Sequence, residues 1–294
     1  MAESIAIIGI GAMGAGAARR LLDQGRRVVV WNRTRSKVAP LLERGATAAE
    51  SPREAAAGAE IVITFLADDR TLEEVVVGPD GVASGLRPDA VHLSMSTIAP
   101  TTARMLAEAQ GERGAAYVAA PVFGRPPLAA QGQLDIVAAG PEEALRKCDA
   151  LFKLLGKQTF VVGAEPAKAN AVKIARNFLL ATMIESLGEA FALVRKCGVE
   201  PQKFLDVIGG TSLSSPAYRN YGKMIVEQAW RPAQFAMPLG LKDVELALST
   251  AREAGMRLPS GEMIRAHLLE AIADGRVEDD WAALAGHIAA RAGL

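Results

Sequence analysis

The sequence is poor in the residues that hold metal ions or build disulfide frameworks. Its 294 residues include two cysteines, Cys148 and Cys197, and three scattered histidines, His92, His267 and His287. The two cysteines form no metal or redox spacing with each other, so we expect reduced thiols in a cytosolic protein. No zinc or other metal site is expected, because no histidine has a cysteine or histidine partner nearby in the sequence.

The sequence also lacks an excess of either charge. Its 33 Lys and Arg residues balance 33 Asp and Glu residues, which gives a formal net charge of +0. This balance argues against nucleic-acid and membrane-surface partners, which require a basic excess. No stretch approaches the roughly 18 consecutive apolar residues of a membrane span. The N-terminal sequence MAESIAIIGIGAMG has neither the basic region nor the long apolar region of a secretory signal.

Short apolar runs alternate with amphipathic stretches in the first half of the chain. A short helix closed by Gly45 is expected at 36–45, and another helical pattern covers 100–114. Continuously apolar strands separated by helices predict a parallel sheet covered on both faces, which is a doubly wound α/β domain. The runs that predict strands are 4–10, 27–32, 60–66, 90–96, 115–122, 134–140 and, last, 159–163.

The pattern becomes helical after about residue 160. The run Pro166–Gly198 is apolar around most of the helix circumference, which indicates burial on several sides. A core helix would explain this, but the length favours a connector between an α/β domain (1–163) and an all-helical domain (164–294). We also expect at least a homodimer, which light scattering at micromolar concentration would test. Further helical patterns cover 201–210, 241–255, 261–275 and 279–294.

A glycine motif follows the first strand directly and opens a helix. In a dinucleotide-binding turn, the first glycine allows a tight turn and the second lets the backbone approach the pyrophosphate. The third glycine permits close packing of the helix on the strand. The pyrophosphate then lies at the helix N-terminus, where free N–H groups favour anions. The motif predicts a Rossmann-type domain, although a plain tight β–α turn is the alternative. The expected cofactor contacts are Gly9, Gly11, Ala12, Met13 and Gly14.

The end of the second strand indicates which dinucleotide is bound. An NAD site places Asp or Glu there, to bind the ribose 2′-hydroxyl, but this chain has Asn32 followed by Arg33 and Thr34. A neutral side chain does not repel a 2′-phosphate. Arg33 can stack on adenine and bind the phosphate, with a further hydrogen bond from Thr34. We therefore predict NADP(H), with contacts from Asn32, Arg33, Thr34 and Lys37. The alternative is a solvated basic loop.

The long helix carries the candidate catalytic residues. Lys173 and Asn177 are four residues apart and share one face of the helix. Partial burial among apolar neighbours lowers the pKa of a lysine and suits it to proton transfer. Asn177 could orient that lysine or a substrate oxygen. A solvated helix lysine is the alternative interpretation of this pattern.

The chain contains, in this order, the segments GIGAMGAGAA (9–18), MSTIAP (95–100), PVFGRPPLAAQGQLDIVAAG (121–140), KIARN (173–177) and FAMPLGLKD (235–243). These separated motifs extend along nearly the whole chain and resemble those of the β-hydroxyacid dehydrogenase family. This family includes 3-hydroxyisobutyrate dehydrogenases and glyoxylate/succinic semialdehyde reductases. The resemblance implies that Lys173 is the general acid, with Asn177 beside it. It also implies an active site in the cleft between domains and a dimer built on the long helix.

Further site residues follow from the same resemblance. In the implied mechanism, hydride passes from NADPH to a carbonyl carbon, and the Lys173 ammonium stabilises and protonates the oxygen. The implied substrate contacts are Ser96, Thr97, Phe235 and Asp243. The implied cofactor contacts are Leu66, Ala67, Asp68, Thr97 and Lys242.

The segment 119–127 departs from the family pattern. Phe123 stands where the family has a serine whose hydroxyl holds the substrate carboxylate. Phenylalanine cannot donate a hydrogen bond, so this contact is lost. The Gly124 N–H remains, and Arg125 could compensate if it turns inward, although a solvated loop arginine is the alternative. With three prolines and a glycine, the segment is expected to form neither helix nor regular strand. We interpret Phe123 as a pocket wall facing the substrate rather than a core residue.

The departure leaves three functions open. The first is NADPH-dependent reduction of a small aldehyde or keto acid of the glyoxylate or succinic semialdehyde type. The second is reduction of less polar carbonyls or imines, since imine reductases look similar in the N-terminal half but generally lack the helix lysine. Retention of Lys173 favours carbonyl chemistry. The third is a non-catalytic dinucleotide-binding module.

Overall fold

The computed structural model describes residues 4–294. They divide into two compact units, the first ending at Lys173 and the second beginning at Ile174. This division falls inside the long helix, slightly later than the boundary at 163 and 164 that the sequence suggests. The start of the helix belongs with the first unit because Ala167 and Ala169 are buried in a core cluster of that unit.

The first unit is built on one sheet whose strands run in the order β3-β2-β1-β4-β5-β6-β8-β7, with β9 paired to β8. The strands from β1 to β6 pair in parallel, and β8 runs antiparallel to β6 and β7. The described strands are β1 (Ser4–Ile8), β2 (Arg27–Trp31), β3 (Thr47–Ala48), β4 (Ile61–Thr64), β5 (Val91–Ser94), β6 (Ala116–Ala119), β7 (Val122–Phe123), β8 (Leu134–Ala139) and β9 (Gly156–Gly163).

Both faces of the sheet are buried, as the continuously apolar strands predict. Successive strand side chains point to opposite faces. On β1, Ile5 and Ile7 belong to one core cluster, whereas Ala6 and Ile8 belong to the other. The predicted doubly wound, Rossmann-type α/β class is therefore confirmed. The sheet is mixed rather than wholly parallel, because β8 returns in the opposite direction after the segment 119–127.

Helices flank this sheet and make up the second unit. Short 3₁₀ segments occur at Arg35–Lys37 and Trp281–Ala283, and a π turn covers Ile272–Arg276. The described helices are α1 (Ala12–Asp23), α2 (Ala39–Leu42), α3 (Pro52–Ala57), α4 (Asp69–Val77), α5 (Val82–Gly85), α6 (Pro100–Gly111), α7 (Pro126–Gln131), α8 (Glu142–Leu155), α9 (Ala167–Lys196), α10 (Pro201–Gly210), α11 (Pro216–Glu227), α12 (Met237–Glu253), α13 (Pro259–Ala271) and α14 (Leu284–Arg291).

The expectation that the segment 119–127 holds neither helix nor strand is wrong. Val122 and Phe123 form a short strand paired with β8, and Pro126 begins helix α7. Proline is well tolerated in the first turn of a helix, because its missing N–H has no intrahelical partner there. Helix α11 is another element that the sequence patterns above do not include.

Helix α9 combines great length with an apolar composition. By length and composition it could cross a membrane, and half of its most apolar 18-residue window is buried inside the protein. Buried core helices share these properties, so this is weak evidence of a membrane span. Leu179 and Leu193 remain 68% and 65% exposed, so one side of α9 is not covered within its own chain. The homodimer stays a prediction.

Cys148 is buried and Cys197 exposed, and both are free thiols.

A buried polar group lies in the middle of the sheet. His92 on β5 is fully buried, and its Nε2 lies 3.1 Å from the Thr64 hydroxyl. Its Nδ1 lies 3.3 Å from the Gln110 side-chain amide nitrogen on α6. That nitrogen can only donate, so Nδ1 accepts and Nε2 carries the hydrogen of a neutral imidazole. Burial lowers the pKa of His92 from 6.5 to about 3.

Because His92 is buried in its neutral form, we predict that the folded protein loses stability in mild acid. The folded pKa lies below the unfolded value, so the folded state binds fewer protons. The stabilisation is therefore complete above about pH 6.5 and declines as pH falls toward 3. From pH 7 to pH 5 we expect His92 to lower the free energy of unfolding by about 2 kcal/mol. Urea unfolding of wild type and His92→Gln at both pH values measures this. Equal losses in the two proteins would show that His92 is not the group responsible.

Candidate functional site

Two glycines in the turn between β1 and α1 are required because the protein's own backbone leaves no room for a side chain. Gly9 has φ +94°, and a Cβ there would lie 2.2 Å from the Phe65 carbonyl oxygen. A Cβ on Gly14 would lie 2.1 Å from the Gly9 carbonyl oxygen. A side chain at either position would therefore collide with backbone. Gly11 differs, because it is exposed and its Cβ would meet nothing within 4 Å. The space above Gly11 is thus open to a ligand.

The N-terminus of α1 suits an anion. The N-cap Gly11 provides no side-chain hydrogen bond, and the first turn contains no acidic residue. The first N–H groups of a helix have no intrahelical partners, and the helix dipole favours negative charge there. Ala12 is exposed and Met13 half-buried beside this turn. These residues fit the pyrophosphate of a dinucleotide, which the N–H groups of Ala12 and its neighbours would hold.

Asn32 joins this turn to the loop that follows β2. Its Oδ1 accepts a hydrogen bond from the Ile10 N–H at 2.9 Å, and its Nδ2 donates to the Thr34 carbonyl at 2.9 Å. The sequence suggested Asn32 for its neutrality alone. The structure adds that its amide fixes the basic loop against the glycine turn. An aspartate could accept the first hydrogen bond but could not donate the second.

The basic loop presents its side chains to solvent. Arg33, Thr34 and Lys37 are all exposed. Across residues 4–294, neither Arg33 nor Lys37 forms a side-chain ion pair, whereas the neighbouring Arg35 pairs with Glu50. Arg33 and Lys37 are therefore available to an anionic ligand, and Arg35 is already engaged.

The segments that follow β4 and β5 are tied to each other. The Leu66 N–H donates to the Ser96 hydroxyl at 2.8 Å, and Ser96 is only 3% exposed. The Asp68 carboxylate caps α4 by accepting from the Thr71 N–H at 2.8 Å. Ser96 and Asp68 thus stabilise the local structure through these hydrogen bonds. The contact of Ser96 does not support its predicted role as a substrate ligand. The ligand contacts of Ser96 and Asp68 stay predictions, as do those of the exposed Ala67 and the half-buried Thr97.

Lys173, the last residue of the first unit, is buried against β7. Its side chain is mostly shielded from solvent, with the residue 8% exposed. The Nζ atom donates a hydrogen bond to the Val122 carbonyl at 2.8 Å. It also lies 4.6 Å from the centre of the Phe123 ring. The prediction of partial burial is confirmed, and the contact with Phe123 is one that the sequence could not reveal.

Gly124 and Arg125 follow β7 directly. Gly124 has φ +135°, which disfavours any side chain, and a Cβ there would lie 2.8 Å from the Leu134 Cδ2. Arg125 is half-buried at the N-cap of α7. The backbone therefore turns sharply after Phe123, and the choice between an inward and a solvated Arg125 stays open.

In the second unit, Asn177 belongs to a buried polar group. Asn177 and Asp243 are 6% and 4% exposed. The Asn177 Nδ2 donates to the Asp243 Oδ2 at 2.6 Å, and the Lys242 Nζ lies 3.3 Å from the Asp243 Oδ1. Asp243 therefore fixes the orientation of Asn177, beyond the substrate contact that the resemblance implies. Phe235 packs edge-to-face on Trp281, with ring centres 4.9 Å apart, so its ring also serves the core of this unit.

The sequence reasoning missed Asn170, which lies on α9 three residues before Lys173. It is 1% exposed, and within residues 4–294 its Oδ1 has no hydrogen-bond partner. Asn170, Lys173 and Asn177 follow the i, i+3, i+7 spacing of one helix face. That spacing of three polar residues was a signal available in the sequence. Among the described residues, no group of three or more His, Cys, Asp or Glu is placed to hold a metal ion.

Two family models match consecutive parts of the chain. Residues 4–163 match the NAD binding domain of 6-phosphogluconate dehydrogenase. Residues 167–288 match the NAD-binding domain of NADP-dependent 3-hydroxyisobutyrate dehydrogenase. The two models meet close to the start of α9 and together cover most of the chain.

Curated relatives agree with these matches. The chain is 45% identical over 280 residues to the oxidoreductase YfjR of Bacillus subtilis, which covers 95% of this chain and 98% of the relative. It is 34% identical over 259 residues to the 2-(hydroxymethyl)glutarate dehydrogenase of Eubacterium barkeri (88% and 86% covered). It is 29% identical over 256 residues to glyoxylate/succinic semialdehyde reductase 2 of Arabidopsis thaliana (87% and 71% covered).

Solved structures share the fold. The 3-hydroxyisobutyrate dehydrogenase of Mycobacterium tuberculosis superposes with a TM-score of 0.89 at 25% identity, covering 97% of this chain and 99% of that one. The reductive aminase of Aspergillus terreus gives a TM-score of 0.62 at 24% identity over 97% and 98% of the two chains, which shows the fold alone. With both family models matched in order and a 34% identical dehydrogenase aligned along most of its length, this chain belongs to the β-hydroxyacid dehydrogenase family of NAD(P)-dependent oxidoreductases.

Proposed function

We propose that this oxidoreductase uses NADPH to reduce a small aldehyde or keto acid, of the glyoxylate or succinic semialdehyde type, to the hydroxy acid. The observation that carries the proposal is the buried amine of Lys173, held by the Val122 carbonyl at 2.8 Å. A fixed ammonium group of this kind can supply a proton to a developing alkoxide. Relatives named for 2-(hydroxymethyl)glutarate and for glyoxylate and succinic semialdehyde support the substrate class.

The chain's own residues would orient the substrate and deliver the proton. When bound, NADPH supplies the hydride. The Lys173 Nζ carries three N–H bonds and donates one to the Val122 carbonyl. In the proposed reaction another N–H bond would be directed at the substrate oxygen. Asn177 donates one N–H to Asp243 and keeps its carbonyl and second N–H for another partner. A carboxylate that fixes this amide lowers the entropy lost when a substrate is aligned.

The preference for NADPH rests on the loop after β2. Asn32 is neutral and hydrogen-bonded to two backbone groups. No carboxylate is therefore present at this position to bind a ribose 2′-hydroxyl. Arg33 and Lys37 are exposed cations without ion-pair partners in the described chain. Charge-assisted hydrogen bonds from such groups to a 2′-phosphate are stronger than those between neutral groups.

A second candidate is the reduction of less polar carbonyls or of imines. Phe123 favours it, because a phenyl ring at this position offers apolar surface and no hydrogen-bond donor. A site without that donor holds a carboxylate less tightly than one with a serine hydroxyl.

A panel assay of NADPH oxidation decides between these functions. Turnover of glyoxylate, succinic semialdehyde and related aldehyde acids supports the first proposal. Turnover confined to cyclic imines or apolar ketones supports the second. NADPH binding without turnover of any compound in the panel would contradict both and indicate a dinucleotide-binding module.

We predict that Phe123→Ser shifts the substrate preference toward carboxylates. The serine hydroxyl restores a donor and the smaller side chain makes room. We therefore expect the ratio of kcat/KM for glyoxylate to kcat/KM for an uncharged aldehyde to rise about tenfold. Steady-state kinetics with the two substrates measures this ratio. Leu128→Ser, on the exposed side of the neighbouring helix α7, is the matched control. An unchanged ratio in Phe123→Ser would show that Phe123 does not face the substrate.

A further inference from the structure

We propose that Phe123 is a positioning residue for the general acid, with its ring face holding the Lys173 ammonium in place. This inference rests on the proposed function, because it concerns the proton donor of the same reaction. The ammonium nitrogen lies 4.6 Å from the ring centre, within the range of a cation–π interaction. The ring is thus a partner of the proposed acid, in addition to the substrate-facing role predicted from the sequence.

The backbone around Phe123 is fixed by strand pairing, and its ring packs against a core cluster. In β7, Val122 pairs with Ile136 and Phe123 pairs with Asp135 of β8. The Phe123 side chain is half-buried and packs against the core cluster that includes Val137 and Ala119. Gly124 then turns the chain with φ +135°, so the strand ends directly after the ring. Strand pairing therefore fixes the backbone of Phe123, and packing against this cluster places its ring beside the ammonium.

Two adjacent residues of the short strand β7 therefore contact the Lys173 ammonium group. The Val122 carbonyl accepts a hydrogen bond from the ammonium, and the neighbouring Phe123 presents a ring to it. A buried ammonium loses its hydration and needs replacement contacts to stay charged and in one orientation. An aromatic face supplies such a contact without competing for the proton, since a phenyl ring cannot accept it. A serine at position 123 would offer no aromatic face.

The expected consequence is a change in kcat with little change in cofactor affinity. An interaction that aligns the acid acts on proton delivery in the transition state rather than on NADPH binding. A cation–π contact at a desolvated site can be worth about tenfold in rate. The substitution Phe123→Leu keeps an apolar side chain and removes the ring. The substitution Phe123→Tyr keeps the ring and is expected to recover most of the kcat that Phe123→Leu loses.

The test measures kcat, KM and the NADPH dissociation constant of the full-length protein with the best aldehyde or ketone substrate of the panel. We expect Phe123→Leu to lower kcat about tenfold, with the NADPH dissociation constant changed less than about twofold. Phe160→Leu is the matched control, since Phe160 is an exposed phenylalanine on β9. It should leave kcat unchanged.

A double-mutant cycle with Lys173→Ala separates this proposal from a direct contact with substrate. If Phe123 acts through the ammonium, Phe123→Leu changes the residual kcat of Lys173→Ala by less than about twofold. The same tenfold loss in both backgrounds would overturn the proposal, as would wild-type kcat in the single variant Phe123→Leu. Near-wild-type turnover of Lys173→Ala would instead overturn the proposed acid itself. Loss of turnover in Lys173→Ala with full turnover in Phe123→Leu would overturn only the inference about Phe123.

Discussion

Replacing Lys173 with alanine is expected to lower kcat by about 10²–10⁴-fold, the usual contribution of a positioned general acid. The physical reason is that the alkoxide formed by hydride transfer would lose both a nearby positive charge and its proton source. NADPH binding should persist with a dissociation constant within about twofold of wild type. The side chain contacts Val122 and Phe123 of β7, which are remote in sequence from the glycine turn that fits the cofactor.

Two measurements are needed for this variant. Stopped-flow or steady-state NADPH oxidation gives kcat, and quenching or energy transfer in NADPH fluorescence gives the dissociation constant. Lys168→Ala is the matched control, because Lys168 is an exposed lysine on the same helix. It should behave as wild type. Near-wild-type turnover of Lys173→Ala would disprove the role of Lys173 as the acid. A joint loss of turnover and cofactor binding would point to misfolding.

Reversing the charge of Arg33 is expected to give the second large effect. Arg33→Glu removes a charge-assisted contact with the 2′-phosphate and adds repulsion, whereas glutamate can accept from a ribose 2′-hydroxyl. We expect the ratio of kcat/KM for NADPH to kcat/KM for NADH to fall by roughly 10²-fold. Steady-state kinetics with each cofactor at saturating substrate measures this ratio.

The control for this prediction lies two residues further along the loop. Arg35 is also exposed to solvent, but it pairs with Glu50. Arg35→Glu makes the same change in net charge without removing an available cation, so it reports the general electrostatic effect. We expect it to alter the cofactor ratio much less than Arg33→Glu does. If the two variants changed the cofactor ratio equally, or if Arg33→Glu did not change it, Arg33 would not be the residue that selects NADPH. The basic loop would then be a solvated loop without a role in cofactor choice.

The contacts of Phe123 change how the departure at that position is understood. By sequence it is the loss of a carboxylate-binding serine, and the expected result is a weaker hold on acids. In the structure the ring is also placed over the amine of Lys173. The same substitution can therefore remove a substrate contact and add a contact to the proton donor. Phe123→Ser and Phe123→Leu separate these effects, because both remove the ring and only serine adds a hydroxyl donor for a substrate carboxylate.

The sequence alone determined the features that depend on local periodicity and on backbone conformation. Continuously apolar runs predicted the doubly wound sheet because parallel strands are buried on both faces. The glycine spacing predicted the turn at Gly9 and Gly14, since side chains there would lie 2.2 and 2.1 Å from backbone oxygens. The all-round apolar run predicted α9 to within two residues at each end.

The tertiary structure decided which distant residues meet. The pairing of Val122 with Lys173, separated by 51 positions, and of Asn177 with Asp243, separated by 66, has no local signal. The hydrogen bond from the Ile10 N–H to Asn32 and the contact of the Lys173 ammonium with the Phe123 ring likewise depend on how strands and helices pack. Such contacts arise from long-range chain pairing, whereas sequence patterns report only the spacing of neighbours along one element. The residue types of this site could therefore be predicted from the sequence, but their mutual positioning required the fold.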